Sequence, residues 1–178
     1  MKAKEKNPKP YEKIRLISEK TRKNHAIKVI IRGLLLLLPL IFLSYIGFRI
    51  RILLEILFLQ VTFLLKILGV PFETFAYQIT AGNLTSVIGF DCTGWRQLYI
   101  YFALVLLPPG IEIAKRLRGW LFLIPLYFYN TLRAVCSIWV GYVNYGWFKP
   151  VHYFLWDFVF LVLMFLFWER WYRKEVLS

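Results

Sequence analysis

The chain has 178 residues, 59% of them hydrophobic and 19% aromatic, and a net charge of +13. That apolar share excludes an ordinary soluble domain, and the length suits a single domain. The charge alone would suit a nucleic-acid binder. However, the basic residues flank apolar runs and no basic–aromatic recognition module interrupts them, so the positive-inside bias of a membrane protein accounts for them and no nucleic-acid partner is expected. The two cysteines stand in unlike settings and give neither a disulfide framework nor a zinc spacing.

Residues 1–26 form a polar, basic tail with Pro8 and Pro10. No small-residue cleavage site follows the first apolar run, so it reads as an uncleaved anchor with the tail in the cytoplasm. The rest of the chain, 27–178, reads as one transmembrane domain. Its first span covers about 29–48, with Pro39 as a kink.

Residues 51–69 are long enough to span but carry Arg51, Glu55, Thr62 and Lys66 on one narrow stripe. Arg51 and Glu55 are an i,i+4 pair of opposite charge. A narrow polar stripe on an apolar helix suits a helix lying along the outer interface, with a fifth span as the alternative. Residues 69–91 hold Gly69, Pro71, Gly82, Asn83 and Gly89 between short β-branched stretches. They read as an irregular or hairpin-like loop outside the hydrocarbon region.

A second span covers about 97–114, broken by Pro108-Pro109-Gly110 and ended by Lys115, Arg116 and Arg118. A third covers 119–143. A fourth covers 153–168 and ends in another basic cluster at 170–174. Both clusters mark the cytoplasmic side. The expected fold is therefore an all-α integral membrane bundle of about four transmembrane helices, with both termini inside.

This topology brings three reactive residues to the outer face. Cys92 precedes an inward-going span and His152 precedes the last one. Arg133 lies 14 residues after Gly119, roughly 21 Å from the inner boundary, in the outer third of a core about 30 Å thick. An arginine inside a span is costly and points to a function with a partner. Asn130, Arg133 and Cys136 follow i, i+3, i+6 spacing and are expected on roughly one face. Cys136 reads as a buried packing residue, and a Cys92–Cys136 disulfide as a minor alternative. Asp157, one turn inside the last span, is a candidate neutralising partner for Arg133.

In order and spacing these residues resemble the exosortase/archaeosortase family of membrane cysteine transpeptidases. The matching stretches are Cys92-Thr93-Gly94 opening a span, Asn130-Thr131-Leu132-Arg133 within the next, and His152 before the last. Leu65-Lys66-Ile67-Leu68-Gly69-Val70-Pro71 resembles the stretch that precedes the cysteine in that family. The resemblance covers about residues 33–168, and the small single-domain form leans to the archaeosortases.

The resemblance implies a catalytic set of Cys92, Arg133 and His152, supported by Thr93, Gly94 and Asn130. Cys92 would attack a peptide carbonyl near a substrate's C-terminal membrane anchor. Arg133 would favour the thiolate or hold the oxyanion, and His152 would carry the proton. The thioester would pass to a lipid amine or to water. No cofactor and no metal are implied. The partners would be membrane lipid and exported proteins ending in a short motif, a single span and a basic tail. Two other classes remain open: a non-enzymatic membrane subunit with a structural Arg133–Asp157 pair, and a lipid-directed acyltransferase using His152.

Overall fold

The computed structural model describes the backbone from Pro10 to Val176, and side chains from Ala26 onward except those of Trp156 and Asp157. Of the basic tail expected at 1–26, residues 1–9 lie outside the described residues and the backbone of 10–26 forms the first part of the first helix. The described residues are mostly helical. Helix α1 (Pro10–Tyr45) contains Pro39, and α2 is Arg51–Ile67. Three strands follow: β1 (Glu73–Phe75), β2 (Gln78–Ala81) and β3 (Leu84–Val87). After a 3-10 turn (Phe90–Thr93) come α3 (Trp95–Leu106), α4 (Ile113–Trp120), α5 (Leu123–Val143) and α6 (Tyr145–Tyr153). A π-helical turn (Phe154–Val159) then leads into α7 (Phe160–Glu175).

The all-α expectation needs one correction. The loop expected at 69–91 is an antiparallel sheet in the order β1-β2-β3. The β2–β3 pair closes on Gly82 and Asn83, and Gly82 takes φ +56°, a conformation that glycine supplies at no steric cost. Alternation then turns Ile79, Ala81, Leu84 and Ile88 into the core.

Two stretches, Ala26–Tyr45 and Ile113–Val143, are long and apolar enough to cross a membrane. The first is unburied against the rest of the protein, and Leu34, Leu38 and Ile41 on it are exposed. The second is interrupted where α4 turns into α5 at Leu121 and Phe122.

Helix α5 is the centre of the fold because two apolar clusters share it. On one side Val135 and Ile138 pack with Leu57, Val61 and Leu65 of α2 and with Ile79 and Leu84 of the sheet. On the other, Leu126 packs with Tyr101 and Val105 of α3 and with Phe160, Met164 and Trp171. Polar contacts fix α2 in place: Tyr127 and Thr131 of α5 donate to Gln60 Oε1 at 2.8 and 3.1 Å. The Arg51–Glu55 pair closes at 2.7 Å on the exposed side.

Helix α3 stops before Pro108-Pro109, which cannot continue its hydrogen-bond ladder. The end carbonyls find an unexpected partner. Arg116, read from sequence as a boundary charge, is buried and donates to the carbonyls of Val105 (2.9 Å), Pro108 (2.8 Å) and Ile111 (3.2 Å). Arg118 pairs with Glu175 at 3.2 Å. Both basic clusters, 115–118 and 170–174, therefore lie at one end of the molecule, where α5 begins.

Candidate active site

Three separate elements supply the sequence-selected residues. The 3-10 turn carries Cys92, α5 carries Asn130 and Arg133, and the end of α6 carries His152. Helix α6 folds back along α5 after Asn144, whose side chain accepts from the Gly146 amide. His152 therefore sits level with Arg133 and Ser137. Arg133 is the midpoint of α5, ten residues from either end, because α4 is set off by the turn at 121–122. The site is recessed about 9–15 Å below the C-terminal end of α5.

Arg133 is 1% exposed and links the other two residues. One terminal nitrogen donates to the Cys92 carbonyl at 3.4 Å, and the other lies 3.4 Å from His152 Nε2. Asn130 Nδ2 donates to the same Cys92 carbonyl at 2.9 Å. The backbone of the cysteine is therefore held from α5 by two side chains one turn apart, and its half-buried side chain packs beside the α2–sheet core.

The residues after the cysteine shape this contact. Thr93 is buried, and its hydroxyl donates to the Phe90 carbonyl at 2.7 Å, closing the 3-10 turn. Gly94 takes φ +70°. A Cβ there would lie 2.8 Å from Asn130 Oδ1, so glycine is required both for backbone conformation and for the approach of Asn130.

Ser137 is a site residue that the sequence reading missed. It is 1% exposed, donates to the Arg133 carbonyl at 2.7 Å, and its oxygen is 3.3 Å from His152 Nδ1. The signal was its i+4 spacing from Arg133, which places it on the same helix face. Phe148 stacks on the imidazole at 5.6 Å and 23°, and Tyr153 meets it edge-on. The Leu155 carbonyl of the π turn accepts from Tyr129 at 2.7 Å, which ties this irregular turn to α5.

Cys136 is not part of this group. It is an exposed free thiol, so the expectation that it packs inside is wrong. Six residues after Asn130 on an α-helix is about 120° around the axis from it, which turns Cys136 outward. Cys92 is also a free thiol, so no disulfide joins the two. The Asp157 side chain, the candidate partner of Arg133, lies outside the described residues. No group of three or more metal-ligating side chains occurs among the described residues.

No family model matches this chain, and no curated protein or solved structure is significantly similar to it.

Proposed function

We propose that the protein is a membrane-embedded cysteine peptidase or transpeptidase that processes the C-terminal sorting signal of exported proteins. The observation that carries this reading is the meeting of a thiol residue, a buried guanidinium and an imidazole from three distant parts of the chain, with Arg133 3.4 Å from both the Cys92 carbonyl and His152 Nε2. Nucleophile, electrophile and proton carrier are the three roles that acyl transfer needs.

In this mechanism the Cys92 thiolate attacks the scissile carbonyl and forms a tetrahedral oxyanion. Arg133 turns its forked donors from the Cys92 carbonyl to that oxyanion, while Asn130 keeps the cysteine backbone in place. The C–N bond breaks, His152 gives its proton to the leaving amine, and a thioester remains. Water or an amine then attacks the thioester carbonyl, His152 takes the proton, and the thiolate is restored. Asn130, Gly94, Thr93 and Ser137 act by positioning.

The membrane setting rests on the apolar stretches Ala26–Tyr45 and Ile113–Val143 and on the exposed leucines of α1, which form a larger apolar surface than water-soluble chains leave open. Four crossings, with α2 along the outer surface, is the topology we favour. The basic clusters gathered at the α5 N-terminal end mark the cytoplasmic side, so the site opens to the opposite side. At 12 residues α3 is roughly 18 Å long, and it crosses together with the proline-rich turn that Arg116 seals.

The test is substitution of each cysteine in cells that express the chain with its exported substrates. Cys92→Ala should leave substrates with intact C-terminal anchors while the protein still accumulates in the membrane, and Cys136→Ala should process normally. Equal behaviour of the two variants would remove the catalytic reading.

A further inference from the structure

A second polar feature lies where α1 ends. A cleft of about 370 Å³ opens between the corner after α1, with Phe48 and Arg49, and the start of α3, with Asp91, Trp95 and Arg96. Its walls combine charge with aromatic surface. Arg96 pairs with Asp91 at 3.2 Å, and its guanidinium lies 5.6 Å from the Trp95 ring centre. Phe48 meets Trp95 edge-on at 6.2 Å. Arg49 is exposed, and no carboxylate lies within ion-pair distance of it among the described residues. Two cations against one carboxylate leave the cleft with one positive charge.

The position of the cleft selects its ligand. The apolar stretch of α1 ends at Tyr45, so the cleft opens at the depth of lipid headgroups. Deeper along the same α1–α3 seam runs a second, almost wholly apolar furrow of about 150 Å³, lined by Leu36, Ile100 and Leu107 among others. Leu36 lies nine residues before Tyr45, roughly 14 Å further in, within the ~15 Å depth of one leaflet. A cationic cleft at the boundary, with a separate apolar furrow deeper on the same seam, matches a molecule with an anionic head and a hydrocarbon chain. Arginine forks bind phosphate oxygens in a planar, two-donor geometry that suits a phosphodiester.

We propose that the α1–α3 seam binds one mono-anionic phospholipid, with its phosphate between Arg49 and Arg96 and one chain in the Leu36 furrow. This does not depend on thiol chemistry at Cys92. The test is native mass spectrometry of the protein taken from vesicles of phosphatidylcholine and phosphatidylglycerol in equal parts, after a delipidating detergent wash. The native chain should keep one phosphatidylglycerol. The Arg49→Gln/Arg96→Gln variant should keep at least tenfold less, with an unchanged helical circular dichroism signal. Leu36→Trp, which fills the furrow, should also reduce retention. Cys92→Ala should retain its lipid like the native chain. Equal retention of phosphatidylcholine, or unchanged retention in the arginine variant, would overturn the proposal. Displacement of the lipid by excess inorganic phosphate would overturn the lipid assignment and leave only a free-phosphate site.

Discussion

The Asn130 side-chain amide donates to the Cys92 carbonyl at 2.9 Å, and this bond joins the central helix to the turn that carries the thiol. It forms only because Gly94 lets the two elements approach. Gly94→Ala should therefore act twice: it forces a non-glycine residue into left-handed backbone, at about 1–2 kcal/mol, and it pushes Asn130 away. The variant should lose both thermal stability in detergent and substrate processing. Asn130→Ala should lose processing with a smaller loss of stability. A fully active Gly94→Ala would show that the contact does not position the cysteine.

Ser137 tests whether the histidine needs orienting. Ser137→Ala removes the oxygen 3.3 Å from His152 Nδ1 without opening a large cavity. Processing should slow about tenfold, the worth of one ordinary hydrogen bond, and Ser137→Thr should restore most of it. Alkylation of Cys92 should stay at the native rate in both variants. A rate loss that Thr does not rescue would point to packing instead.

Arg133 separates charge from geometry. Lysine keeps the positive charge but loses the planar fork. If the guanidinium holds the oxyanion, Arg133→Lys should be nearly as impaired in processing as Arg133→Ala, while its Cys92 alkylation rate stays closer to native. Single-turnover processing and alkylation, measured side by side, distinguish these. Near-native processing by the lysine variant would limit Arg133 to a charge effect.

Arg116 should matter for stability rather than chemistry. Its guanidinium satisfies three carbonyls at the proline-broken end of α3. Arg116→Ala leaves those acceptors without their donor, at a cost of about 2–3 kcal/mol. The melting temperature in detergent should fall by several degrees. The remaining folded protein should process substrate at the native rate per molecule.

The placement of α2 is also open to measurement. A spin label moved along Arg51–Ile67 should show a helical period at nearly constant depth if the helix lies along the surface. A steady gradient in depth from one end to the other would make it a fifth crossing.

The polar residues of the candidate site are more legible in the sequence than their surroundings. Cys92, Arg133 and His152 stand out because polar groups in apolar segments are rare and costly. Asn130 follows from its i,i+3 relation to Arg133. Ser137 did not stand out, because a serine in an apolar helix can satisfy itself on the i−4 carbonyl and so carries no excess cost. Cys136 was misplaced by treating i+6 as the same face, whereas i+7, the position of Ser137, comes nearly back to Asn130. Arg116 was read as a boundary charge because composition cannot distinguish a solvated arginine from one sealing a broken helix end. The sheet was legible only as an irregular or hairpin-like loop, since strands of three or four residues leave too short an alternation to fix their number and register.

The central claim is that Cys92, Arg133 and His152 act as one chemical unit, and alkylation of Cys92 as a function of pH tests it most directly. In a Cys136→Ala background Cys92 is the sole thiol, so a small neutral alkylating agent reports on it alone. If the guanidinium acts on the thiol, Arg133→Ala should slow alkylation at neutral pH. His152→Ala should change the shape of the profile near neutrality, where imidazole titrates, while Cys92 remains reactive. The same profile in the parent and both variants would mean that neither residue is coupled to the thiol. The three would then be neighbours in a structural site, and the peptidase reading would fall.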